Sequence, residues 1–273
     1  MMKLNRRTKT LVLALGISLL LLGAALAGLI MDPVRYGPNF ADKKMPPSAL
    51  HFFGTDYLGR DMFFRTLKGL STSILIGLLA AAVSAVLALI LGLLAAAGGI
   101  TDKIISYFVD LFMGVPHMVL LILISFALGK GLQGIIIGVA LTHWPNLTRV
   151  IRGEVLALRE AQYVKTARRL GKTRLRTVWD HIVPHVFPQF VIGLILLFPH
   201  AILHEAGITF LGFGLMMDTP AIGIILSESL KHIAAGMWWL VFFPGLTLVA
   251  VVMLFDTLGE QVKLLIDPAS AQE

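Results

Sequence analysis

Three histidines interrupt stretches that are otherwise apolar: His143, His200 and His204. His200 and His204 stand four residues apart, on one face of a helix, and Glu205 follows directly. An ionisable side chain in hydrocarbon is costly and by default has a function. Neutral imidazoles at this spacing suit nickel, zinc, copper or iron. His200 and His204 are therefore candidate transient metal ligands, and His143 and Glu205 join them along a candidate substrate path. The competing role is structural, with each imidazole hydrogen-bonded to a neighbouring helix. An intramembrane zinc hydrolase would need His-Glu-x-x-His. Here the Glu follows the second His, and no third strong ligand is evident. There is no cysteine, so thiol catalysis and Cys-ligated metal are excluded. No Ser/His/Asp arrangement and no Gly-rich phosphate loop with Lys is found. The chain is thus read as non-catalytic, without a cofactor of its own, and unable to hydrolyse ATP.

Helices in lipid must position these residues. Hydrophobic residues make up 57% of the chain and charged residues 14%, and the mean hydropathy is +0.84. A soluble domain carries about 25% charge, so most of this chain is solvated by lipid. The formal net charge of +7 does not indicate nucleic acid, because the basic residues flank apolar spans. A span needs roughly 20 apolar residues, and six stretches qualify: Leu11–Met31, Ser73–Ala97, Tyr107–Leu128, Leu132–Val150, Val186–Ala206 and Met237–Leu254. Ala25-Leu26-Ala27 resembles a signal-peptide cleavage site, but the apolar run is longer than the usual h-region, which favours an uncleaved span.

Lys3, Arg6, Arg7 and Lys9 before the first span, and eight Lys/Arg against three acids in 152–185, place both segments in the cytoplasm. The stretch 32–72, outside on this topology, carries six Lys/Arg with four Asp and argues the other way. Ser84, Ala88, Gly92 and Ala96 recur every four residues as a small-residue ridge, read first as a contact within the chain and second as a subunit interface. Glu154–Leu170 reads as a helix broken by Gly171, and Thr173–Ile182 as a second one ended by Val183-Pro184. A basic hairpin of this kind also suits a surface resting on anionic lipid.

The run Tyr163-Val164-Lys165-Thr166-Ala167-Arg168-Arg169-Leu170-Gly171, followed by His181-Ile182-Val183-Pro184, resembles the EAA loop of ABC importer permeases, in their peptide and nickel branch. Lys165 and Thr166 depart from that motif's Glu and first Ala. Gly54-Thr55-Asp56-Tyr57-Leu58-Gly59-Arg60-Asp61, with Arg65 and Gly69, is similar to a second stretch of the same branch. There Phe64 replaces a usual Ser, and Ser71 stands where Arg is common. Taken alone, Asp56 and Asp61 are expected to bond local N–H groups. Gly98–Asp102, Pro116, Phe210–Gly214, Pro244-Gly245 and the tail from Gly259-Glu260 to Asp267-Pro268 agree further, so the resemblance runs from about residue 50 to the end.

The resemblance implies an all-α polytopic permease of about six transmembrane helices in the cell inner membrane. Residues 1–72 would be the tail, first span and extracytoplasmic segment, 73–260 a five-span core with a cytoplasmic coupling loop at 152–185, and 261–273 a cytoplasmic tail. It implies as partners a homologous second permease subunit, two ATPase subunits that use ATP and Mg, and an extracytoplasmic binding protein. Tyr163 to Gly171 would dock on the ATPase. Leu141-Thr142-His143-Trp144 and His200-x-x-x-His204 followed by Glu205-Ala206-Gly207 look like the nickel-type members. The expected cargo is nickel, another transition metal or its chelate. A di- or oligopeptide is the alternative, and an ion-coupled secondary carrier the second one.

Overall fold

The computed structural model describes residues 6–266, so Lys3 and the tail beyond Ile266, with Asp267-Pro268, lie outside the described residues. Ten α-helices follow in chain order: α1 (Arg6–Leu29), α2 (Met62–Ala95), α3 (Gly99–Gly114), α4 (His117–Ala127), α5 (Gly131–Glu160), α6 (Gln162–Arg169), α7 (Arg174–Thr177), α8 (Val183–Phe210), α9 (Ile222–Leu230) and α10 (Trp239–Ile266). No strand forms among the described residues, beyond one isolated bridge between Thr55 and Asp61. Helices are the expected solution in lipid, where every backbone N–H and C=O needs a partner within its own segment.

Among the described residues four helices are long and apolar enough to cross a membrane, or five if the bent pair α3 and α4 is one span. α5 has the length but a polar middle at His143–Asn146 and is not among them, so the count is roughly consistent with the expected six.

Several boundaries differ from the sequence reading. The expected span Tyr107–Leu128 is two helices bent by 99°. Pro116 has no N–H and pushes Val115 into extended geometry (φ −93°, ψ 137°), so the helix stops at Gly114. The expected helix Glu154–Leu170 breaks at Ala161, which is extended (φ −62°, ψ 140°) without any Gly or Pro to announce it. Pro184 does not end a helix. It occupies the first turn of α8, where a missing N–H is harmless, and a π-helical turn over Val178–Ile182 joins α7 to α8. α2 begins eleven residues before Ser73, at Met62, capped by the Asp61 carboxylate on Phe63 N (2.9 Å) and Phe64 N (3.3 Å). Its 34 residues span about 50 Å, so it projects well beyond a hydrocarbon core of about 30 Å.

Packing is organised around α2, α5 and α8. The ridge Ser84–Ala88–Gly92–Ala96 is fully buried and faces α5 within the same chain. Thr148 on α5 donates to the Ala88 carbonyl (3.4 Å), and the Ile151 side chain sits against Gly92. α1 lies at the edge, tied to α2 by Lys68 on the Gly28 carbonyl (3.0 Å) and Ser71 on the Ala25 carbonyl (2.6 Å). Its other faces expose leucines throughout, as a lipid-facing helix does.

Two apolar clusters result. One holds the first half of α2 with α1, α4, α9, α10, the start of α5 and the second half of α8; the other holds the second half of α2 with α3, the later part of α5 and the start of α8.

A side chain at Gly92 would meet Ile151 Cγ2 at 2.7 Å and the Thr148 carbonyl at 3.3 Å, whereas Gly16 on α1 has open space around it. Gly92→Leu should therefore destabilise the detergent-solubilised protein by about 1–3 kcal/mol. Gly16→Leu should be close to neutral, with thermal unfolding as the readout.

Candidate functional site

α5 carries His143 into the junction between the two apolar clusters, where α4 and α8 deliver two more imidazoles. His117 is the first residue of α4, placed by the Pro116 break, and His204 projects from α8. Each of the three rings offers one nitrogen, and these atoms lie within 4.8 Å of one another. Ring centroids are 4.5 Å apart for His117–His143, 4.5 Å for His117–His204 and 5.1 Å for His143–His204.

The hydrogen bonds assign tautomers. His143 Nδ1 is 2.8 Å from the Val139 carbonyl, which can only accept, so Nδ1 carries the proton. In the neutral ring Nε2 then holds the lone pair, and it is buried without a hydrogen-bond partner. His117 Nε2 is also buried and unpartnered. His204 Nδ1 contacts the Met118 thioether at 3.0 Å. Sulfur there can only accept, which leaves His204 Nε2 as the lone-pair nitrogen. Tying the distal nitrogens of His143 and His204 in this way is how metal-ligating histidines are oriented.

The imidazoles face a groove of about 430 Å³ whose walls include Asn146, Leu147, Leu196, Leu197 and His200. It adjoins a second hollow of about 410 Å³ along the Val115–Pro116 break, and the two share His117, Thr142 and Asn146.

Of the residues singled out from sequence, His143 and His204 meet in this group. His200 lines the same groove but is exposed and outside the group of three. The i, i+4 pairing of His200 and His204 puts both on the groove face of α8 without bringing them onto one ion. Glu205 turns the opposite way. It is fully buried, accepts from Thr209 Oγ1 (3.1 Å) and sits against Ser73 of α2, while its second oxygen has no partner. His117 and Met118 were missed, although an ionisable residue inside the expected span Tyr107–Leu128 met the rule that selected the other histidines.

At the outer rim, Asp56 and Asp61 do bond local N–H groups. Asp56 Oδ1 accepts from Leu58 N (2.8 Å) and Arg60 N (3.0 Å). Its Oδ2 takes Arg60 Nε (2.6 Å) and Arg65 Nη1 (3.3 Å), and Glu228 of α9 closes the cluster on Arg60 (2.8 Å) and Arg65 (2.6 Å). Glu228 is more than 160 residues away in sequence, which is why the motif alone did not include it. The turn Leu211–Gly214 stitches α8 to the α4–α5 loop: Gly131 N donates to the Gly214 carbonyl (3.0 Å) and Ser125 Oγ to the Phe213 carbonyl (3.1 Å).

In the knob formed by α6 and α7, Val164 and Ala167 of α6 are buried, while Tyr163, Thr166, Arg169, Leu170 and Gly171 are exposed and Lys165 and Arg168 half-buried. Lys165 pairs with Glu160 of its own chain (2.8 Å). Leu170, Leu175 and Trp179 are 81%, 70% and 64% exposed, an apolar surface on a loop outside the bilayer.

Residues 88–269 match the family model of the binding-protein-dependent transport system inner membrane component. The chain is 31% identical to the dipeptide transport system permease protein DppC of Bacillus subtilis (strain 168), over 96% of this chain and 83% of that one. It is 33% identical to the nickel transport system permease protein NikC of Escherichia coli (strain K12), over 85% of each. Among solved structures, the MetNI methionine ABC transporter in an inward-facing conformation superposes with a TM-score of 0.60, at 19% identity, over 76% of this chain and 98% of that one. That last likeness establishes the fold.

Arg65 is buried and answers two carboxylates that Arg60 also holds, so Arg65→Met leaves each with one arginine and should cost about 1.5–3 kcal/mol in lost charge-assisted hydrogen bonds. Thermal unfolding should register this loss, and unchanged stability would mean that the rim cluster is not holding α9 to α2.

Proposed function

Because the chain belongs to the family of binding-protein-dependent transport system inner membrane components, we propose that this ABC importer permease subunit carries a transition metal, nickel or a close neighbour, in the form of a chelate. The observation that supports this reading is the group formed by His117, His143 and His204, each with one ring nitrogen within 4.8 Å of the others.

Three nitrogens around one tetrahedral ion sit about 3.4 Å apart at bonds of about 2.1 Å. A pair of nitrogens at the limit of the 4.8 Å reach must therefore draw in by about 1 Å. Coordination of this kind is incomplete and strained, which suits a path that has to release its cargo. A groove of about 430 Å³ with leucine walls is far larger than a bare ion needs, and a chelating amino acid or small organic acid fits the remaining space. His200 stands at the exposed flank of that groove as a first contact. In this reading Glu205 holds α8 to α2 and has no contact with the cargo.

A second reading has a specific observation behind it: several of the most similar relatives are named for dipeptide or oligopeptide transport. The same groove admits a short peptide, with the imidazoles as hydrogen-bond partners for its carboxylate. A self-sufficient ion-coupled carrier loses its ground with the family assignment.

We further propose that the exposed face of Tyr163–Gly171, with Leu170, Leu175 and Trp179, docks on an ATPase subunit, that two such subunits and a homologous second permease complete the importer, and that an extracytoplasmic binding protein delivers the cargo. Coupling is direct, because α5 carries His143 and runs into α6 at Ala161, while α7 runs through the π-helical turn into α8, which carries His204.

Three outcomes test these proposals. In proteoliposomes holding the assembled complex, nickel–histidine chelate should stimulate ATPase activity and a short-peptide panel should not. Replacing His117, His143 and His204 together with Ala should lower metal uptake about tenfold or more while assembly is retained; wild-type uptake would return the rings to structural duty. For coupling, Gly171 has φ +88° with open space around it, so Gly171→Val strains the backbone without a clash. It should separate ATP hydrolysis from transport, and normal transport by that variant would remove the coupling role.

A further inference from the structure

Beneath the cytoplasmic knob, three arginines from three elements line one small cavity: Arg159 near the end of α5, Arg168 in α6 and Arg174 at the start of α7. Its volume is about 100 Å³, and Leu93 of α2 with Ala96 and Ala97 just past that helix also line it. The cavity thus lies on the bundle side of the knob, away from the exposed surface of Leu170 and Trp179.

Positive charge is in excess there: Glu160 acts on Arg159 through space but is held by Lys165. Among the described residues, none of the three arginines forms an ion pair with a carboxylate, although their neighbours do: Lys165 with Glu160, Lys172 with Asp180, Arg152 with Asp102. Arg159 donates to the Ala96 carbonyl, which fastens the end of α5 to the end of α2. Arg168 Nε is buried and has no acceptor. A buried guanidinium N–H without a partner is costly, and three converging positive charges repel one another. A single anion with several acceptor oxygens answers both deficits, and planar guanidinium forks match phosphate geometry.

We propose that this cavity is a binding site for a phosphate group, held by Arg159, Arg168 and Arg174. It has room for one phosphate and no room for a nucleobase beside it. Two sources share this chemistry. One is the headgroup of an anionic phospholipid, since basic residues at the cytoplasmic face lie at headgroup depth. The other is free inorganic phosphate. In either case the anion bridges α6 and α7 to the ends of α5 and α2 and stiffens the connection between the knob and the bundle. This inference does not depend on which cargo the permease carries.

The test uses the intact complex with its partner subunits, in nanodiscs of phosphatidylcholine with or without phosphatidylglycerol, read by native mass spectrometry and by amide hydrogen exchange over residues 162–177. Retention of phosphatidylglycerol by the wild type identifies the headgroup as the source. Slowed exchange on adding inorganic phosphate in phosphatidylcholine alone identifies the free anion. In both arms the double variant Arg168→Gln with Arg174→Gln should bind about tenfold more weakly, the loss of one charge-assisted hydrogen bond being enough for that factor. Arg168→Lys should retain part of the binding. Should the double variant fail to assemble, Arg174→Gln alone serves, because Arg174 is exposed and outside the bundle contacts. Equal binding of both probes by wild type and variant overturns the site. So does loss of the ATPase subunits from the variant with anion binding unchanged, which would give these arginines to the ATPase contact.

Discussion

The middle of α5 is too polar to face lipid, and that constraint shapes the rest of the bundle. Thr142, His143, Trp144, Pro145 and Asn146 follow one another there, and all but Asn146 are buried. In hydrocarbon such a stretch has to be enclosed by protein. α2 closes one side, and it can approach only because its facing residues are Ser84, Ala88, Gly92 and Ala96. α4 and α8 close another side, and the enclosure brings His117 and His204 against His143. The small-residue ridge and the histidine group are therefore two consequences of one requirement. Hydrophobicity alone does not favour helix on helix over helix on lipid, so close backbone approach and polar contacts hold the arrangement.

The position of the site also suits the proposed coupling. The imidazoles sit between two apolar clusters, on helices that lead into the knob of α6 and α7. Under the proposed docking, a push on α6 and α7 would act on the ends of α5 and α8. A small displacement of α8 relative to α4 would then carry His204 away from His117. At the opposite end, the Asp56–Arg60–Arg65–Glu228 cluster fixes α9 to the start of α2, so the outer rim moves with α2.

Much of the frame was legible in the sequence, because lipid imposes length and apolarity on each span and neither depends on long-range contacts. The ridge on α2 and the caps by Asp56 and Asp61 were readable for the same reason. What escaped reading depended on partners distant in the chain or on breaks with weak local signals. Ala161 turns α5 into α6 with no Gly or Pro. Pro116, by contrast, did announce the break that places His117, and a span drawn straight through it concealed the third imidazole. α9 is nine residues long, too short to register as a span, and Glu228 acquires its meaning only from Arg60 and Arg65. The His200–His204 spacing was sound as helix geometry. It could not reveal that the third dimension pairs His204 with His117 and His143 and leaves His200 on the flank.

The central claim is that three imidazoles from α4, α5 and α8 take hold of a metal in transit. X-ray absorption spectroscopy on the nickel-loaded complex, trapped during turnover, tests this most directly. The account predicts nitrogen ligation at about 2.0–2.1 Å with the outer-shell scattering of more than one imidazole, lost when His117, His143 and His204 are replaced. A nickel environment free of imidazole in the trapped complex, or one unchanged by those replacements, would contradict it and leave the groove to a cargo without metal.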